Sequence, residues 1–123
     1  MSSEQELAEF IRSTFRSVWA LELALLMASD EGCSWSRPEL VSSLRASDLV
    51  VARSTAELAA AGLIVQVNDE CATFRPATDQ LRQLFEATSA LYARSPDKVR
   101  RLIVAAGAGG LAAFADAFRI RKD

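Results

Sequence analysis

Arg37, Arg45, Arg53 and Arg75 are the side chains with which this 123-residue chain could grip a phosphate backbone. Between and beyond them, Leu49, Val50, Asp69 and Glu70 offer apolar and acidic groups of the kind that suit a protein partner. A further basic cluster, Arg94, Lys98, Arg100 and Arg101, follows later in the chain. Its Arg94, Lys98 and Arg101 fall at i, i+4 and i+7 if the backbone stays near-helical through Pro96. That cluster admits three uses: a solvated helix face, an electrostatic contact with nucleic acid or an acidic partner, or pairing with Glu4, Glu6 and Glu9. Arg119, Arg121 and Lys122 form another basic group near the end.

Covalent and metal chemistry find little to work with. The chain has no histidine, so a serine or cysteine nucleophile lacks its commonest base, and the usual zinc sets are excluded. Cys33 and Cys71 are far apart with no CxxC spacing, which reads as two small buried residues in a reducing compartment. "GAGG" at 107–110 has no preceding strand and no following GK[ST], so it reads as a helix break rather than a phosphate cradle. Asp30-Glu31 and Asp69-Glu70 lie in turns without the spaced ligands of a calcium or magnesium loop. The expectation is a binding protein with no catalytic residues, no cofactor and no metal.

The most apolar run, "VWALELALLMA" at 18–28, is eleven residues long and contains Glu22, too short to span a bilayer. The beginning, "MSSEQELAEF", is acidic and unlike a secretory leader. A cytoplasmic protein without membrane contact is expected. The net charge of −2 divides unevenly: residues 1–76 carry a balance of −5, residues 77–123 one of +3. Such a split bears on partners rather than on fold.

These side chains need elements to position them. Ser3 with Glu6 forms a capping box, and Leu7, Phe10, Ile11 and Phe15 recur at helical spacing, predicting a helix over 3–15. A second helix over 17–29, with a bend around Ser17, is apolar on nearly every side, as expected at the centre of a core. "CSW" at 33–35 reads as a very short strand. Ser36 and Glu39 make a second capping box for a helix over 37–45. After the Ala46-Ser47 turn, another helix runs from Asp48 to Ala61 and stops at Gly62. Val65, Val67, Ala72 and Phe74 alternate with polar residues around "NDE", the pattern of a β-hairpin. Helix returns over 78–94, and Ser95-Pro96-Asp97 starts another. Trp19, Leu23, Leu26, Leu40, Leu44, Val51, Leu58, Leu63 and Phe74 are expected to be buried together.

The order helix, helix, short strand, helix, helix, hairpin, helix is that of a winged helix-turn-helix domain. Residues 17–76 resemble the winged-helix regulators of the MarR-like class, whose reading helix ends in Leu, a few residues, then Gly-Leu-hydrophobic. Leu58-Ala59-Ala60-Ala61-Gly62-Leu63-Ile64 matches that run without a gap. The fold class expected is mainly α, a winged-helix core with a small hairpin wing and extra helices at both ends. One domain over 1–123 then divides into an N-terminal helix (1–16), the core (17–76) and C-terminal helices (77–123). The resemblance implies a DNA-associated transcription regulator that forms a homodimer through its terminal helices, with Arg53 near the DNA.

The outward residues of the reading helix depart from that expectation. Reading bases takes matched donors and acceptors, and Leu49 and Val50 supply neither. Asp48, Asp69 and Glu70 carry the wrong sign for phosphate. Leu49 and Val50 admit an ordinary surface, a protein-binding face or contact in a DNA groove. Two functions follow: a regulator that holds double-stranded DNA mainly by its backbone, or a protein-interaction module that does not read sequence.

Overall fold

Four helices begin on a hydroxyl side chain that accepts a backbone N–H from the first turn, satisfying a donor the helix cannot. Ser17 takes the N–H of Ala20 at 3.2 Å, Ser47 that of Val50 at 3.1 Å and Thr78 that of Leu81 at 3.1 Å. Ser36 and Glu39 form the expected capping box: Glu39 N donates to Ser36 Oγ at 3.2 Å and Ser36 N to Glu39 Oε1 at 2.9 Å. The computed structural model describes residues 3–68 and 71–105. It shows α1 (Ser3–Thr14), α2 (Val18–Ala28), β1 (Ser34–Ser36), α3 (Arg37–Leu44), α4 (Asp48–Ala60), β2 (Ile64–Gln66), β3 (Cys71–Phe74) and α5 (Asp79–Arg94). A further helical stretch, α6, occupies 96–105.

The protein is mainly helical, with a three-stranded antiparallel sheet in the order β1-β3-β2. β2 and β3 are the hairpin, and β1 pairs with the far side of β3 through Ser34↔Thr73 and Ser36↔Cys71. α2 packs on α4, α3 crosses α4, and α1 lies along α5. The core gathers Ile11, Phe15, Leu21, Leu23, Met27, Leu40, Val51, Leu58, Leu63, Phe74 and Phe85 from nearly every element. Full burial of one such side chain is worth about 1.5–3 kcal/mol, so this convergence is what holds the helices against one another. Val99 and Ile103 of α6 are also buried, so the later helices share the core.

α4 ends in a complete Schellman motif. Leu63 N donates to Leu58 O at 3.1 Å and Gly62 N to Ala59 O at 3.1 Å, with Gly62 at φ +86°. Leu58 and Leu63, the apolar pair that accompanies such an ending, are both fully buried. The hairpin thus leaves α4 at a fixed angle.

Three burial expectations need correction. Trp19 is 43% exposed rather than buried, because an all-apolar helix gives no sign of which side meets solvent. Leu26 and Leu44 lie at the core's edge, only partly buried. The phase of β2 is also shifted: Ile64, paired with Phe74, is the buried residue of the strand, while Val65 and Val67 are exposed. Neither cysteine is buried as expected: Cys33 is an exposed free thiol and Cys71 is half-buried. Partial desolvation, then the carboxylates of Asp30 and Glu39, push the Cys33 thiol up.

Candidate macromolecular interface

α4 buries one side and offers the other. Val51, Ser54, Thr55 and Leu58 point inward, with the Thr55 hydroxyl donating to Val51 O at 3.0 Å and Ala52 O at 2.9 Å. Leu49, Arg53, Ala56 and Ala60 form the exposed stripe, at i, i+4, i+7 and i+11. Leu49 is 63% exposed, whereas Val50 is half-buried against the scaffold. The stripe therefore has one charged side chain, Arg53, between a leucine and two alanines.

The ends of α3 and α4 meet at an ion pair. Arg37 Nη1 lies 3.6 Å from Asp48 Oδ2, so the first residue of α4 carries a carboxylate at its positive end. That placement stabilises the helix start. Arg37, expected as a phosphate contact, thus has a carboxylate beside it.

Arg45 sits in the α3–α4 turn with left-handed backbone at φ 54°, exposed beside the start of α4. Arg75 is exposed too, but its N–H donates to Leu63 O at 3.0 Å, placing it at the base of the hairpin. The length of α4, roughly 18 Å, separates that end from Asp48. Of the four arginines, Arg37 reaches the start of α4, Arg45 lies in the turn before it, Arg53 lies on its exposed stripe and Arg75 lies at the base of the hairpin. Asp69 and Glu70, expected at the wing tip, lie outside the described residues. The preceding Asn68 closes the turn by accepting the Cys71 N–H at 3.0 Å.

The outer sheet face was not anticipated. Val65 (44% exposed) and Val67 (65% exposed) stand there with Thr73 and Cys71 opposite them. The signal that could have found them is Ile64, whose apolar side chain makes the opposite phase of the strand equally consistent.

The later basic cluster does not form one stripe. Ser95 departs from helical backbone at φ −142°, ψ 70°, and its carbonyl accepts the N–H groups of Lys98 and Val99 to start α6. Arg94 and Lys98 nevertheless share an open groove with Glu4, Gln5 and Leu7 of α1. No ion pair joins the cluster to Glu4, Glu6 or Glu9 among the described residues. Glu6 instead accepts from Gln80 Nε2 at 3.5 Å. Arg100 lies over the Tyr92 ring, 5.5 Å from its centroid, and pairs with Asp97 at 3.4 Å, while Arg101 Nε donates to Asp97 O at 3.4 Å. Tyr92 donates to Glu22 Oε2 at 2.5 Å. Burial first, then that bond, push the Tyr92 hydroxyl pKa up. Arg119, Arg121, Lys122 and the 107–110 break lie outside the described residues.

Among the described residues no group of three or more His, Cys, Asp or Glu could hold a metal ion, and no helix is long and apolar enough to cross a membrane. The arrangement offers surfaces for association. No family model, no curated protein and no solved structure matches the chain.

Proposed function

We propose that the chain is a winged-helix interaction module of regulatory type, which keeps a MarR-like scaffold and uses the outward face of α4 to hold a protein. The observation that carries this reading is the exposed stripe of α4, where Leu49 stands out and only Arg53 offers donors. An exposed leucine beside two alanines suits a shallow apolar contact, and a central arginine is a common anchor in protein interfaces. The Asp48 carboxylate at the helix start supports the same reading, since a phosphate brought there would be repelled. Two free thiols fit a reducing, cytoplasmic setting. Homodimerisation through the terminal helices belongs to the proposal as well, supported by apolar surface left on them, with Val104 57% exposed.

A second reading, a regulator bound to DNA mainly by backbone contacts, draws on the exposure of Arg45, in the turn before α4, and of Arg53 on α4 itself. Titration of random-sequence duplex at two salt concentrations, with Arg53→Ala and Leu49→Ala, separates the two. The interaction module gives weak binding with a shallow salt slope, insensitive to Leu49→Ala. Tight, salt-steep binding that loses roughly one unit of log–log slope in Arg53→Ala would establish the DNA reading.

A further inference from the structure

The most apolar helix of the protein carries an exposed tryptophan and a carboxylate three residues apart. Trp19 is 43% exposed and Glu22 is half-buried, and their spacing places them on one side of α2. With Val18 from α2, and Ser43 and Leu44 from the end of α3, they line an open cavity of about 490 Å³. Tyr92 satisfies one oxygen of the Glu22 carboxylate; the other, Oε1, has no hydrogen-bond partner among the described residues. Arg100 reaches the far side of that bond, donating from Nη2 to the Tyr92 hydroxyl at 3.4 Å and pairing with Asp97, but it makes no ion pair with Glu22 and does not line the cavity.

We infer that this cavity binds a small organic cation with an apolar body, its ammonium held between the Trp19 ring and the Glu22 carboxylate. The face of an indole attracts a cation through its quadrupole, and Trp is the strongest of the aromatic side chains in this respect. Val18 and Leu44 supply the apolar wall that takes the body of the ligand. The lining contains no basic side chain, so an anion of the same size meets one carboxylate and finds no counter-charge. Ser43 leaves one hydroxyl able to accept from a primary or secondary ammonium.

The test is a titration of the full chain with benzyltrimethylammonium, followed by the indole N–H resonances. The chain has two tryptophans, so Trp35 serves as the internal control. Trp19 shifts saturably in the millimolar range while Trp35 stays in place. Benzyl tert-butyl ether, neutral and of similar size, binds at least about fivefold more weakly, the factor expected for losing one partly exposed charge contact. Glu22→Gln removes that preference for the cation. Tyr92→Phe, which releases the second carboxylate oxygen, retains or strengthens it. Should Glu22→Gln fail to fold, Trp19→Leu, read on the backbone amides of α2, carries the same expectation, because Trp19 is not a core residue. Equal binding of the ether, an unchanged preference in the folded variant, or a Trp19 resonance that does not move at millimolar cation would each overturn the assignment.

Discussion

Replacing Gly62 with alanine tests whether the turn from α4 into the hairpin is as tightly specified as its geometry requires. At φ +86° an alanine pays the left-handed steric penalty of about 1–2 kcal/mol. Restricting the unfolded chain returns about 0.5 kcal/mol of that. The new Cβ would also stand 3.2 Å from Leu81 Cδ1 and 3.5 Å from Ala77 Cβ, so Leu81 must move or the turn must open. That adjustment adds about 1 kcal/mol, of the order of an off-rotamer side chain. Gly32 provides the control, since it has φ +89° and nothing within 4 Å of a built Cβ. Gly32→Ala should cost about 1 kcal/mol, strain alone, and Gly62→Ala about 2 kcal/mol. Urea unfolding with unchanged m-value measures both, and the second variant should also melt several degrees lower. If Gly62→Ala cost no more than Gly32→Ala, the packing of α5 against this turn would not be what fixes the hairpin.

Other outcomes follow from individual contacts. Glu31 is held below its ordinary pKa by its hydrogen bonds from Arg82, and Glu39 by the Ser36 backbone and side chain. A lowered carboxylate contributes stability that is present above its unfolded value of 4.5 and lost as pH falls through the folded one. Unfolding midpoints should therefore fall below about pH 4.5, and fall less steeply in a Glu31→Gln, Glu39→Gln double variant. In the hairpin, Val67→Lys should leave stability nearly unchanged, while Ile64→Lys, which buries a charge, should cost several kcal/mol; equal costs would contradict the observed register. Sedimentation equilibrium at micromolar concentration should report a dimer that weakens in Val104→Lys, and a monomer at all concentrations would confine the terminal helices to packing within one chain.

Local chemistry made the helix boundaries legible and left the orientation of ambiguous elements open. Ser36 with Glu39, Thr78 and Gly62 each mark an end by satisfying particular backbone groups, and those ends lie where their residue types place them. The inward face of α4 was equally readable, because Val51 and Leu58 are separated by two turns of otherwise smaller or polar residues. α2 has no polar face to set its rotation, so Trp19 could be assigned to the core by composition and still meet solvent. In β2, Ile64 and Val65 are adjacent and both apolar; only pairing with Phe74 selects the phase. The candidate interface was visible residue by residue in Leu49 and Arg53. The Arg37–Asp48 ion pair was not, since it depends on how α3 and α4 cross. The Tyr92–Glu22 bond, spanning seventy residues, depends likewise on α5 returning to α2.

The central claim, that the exposed face of α4 holds a protein rather than reading DNA, is tested most directly by photo-crosslinking from position 49 in living cells. A photoreactive residue replacing Leu49 should yield a discrete protein adduct, identified by mass spectrometry, that is lost when Arg53 is changed to Glu. The same residue placed at Glu86, exposed on α5, should yield none of that adduct. Adducts to DNA from position 49, or an adduct pattern indistinguishable from that at position 86, would contradict the account.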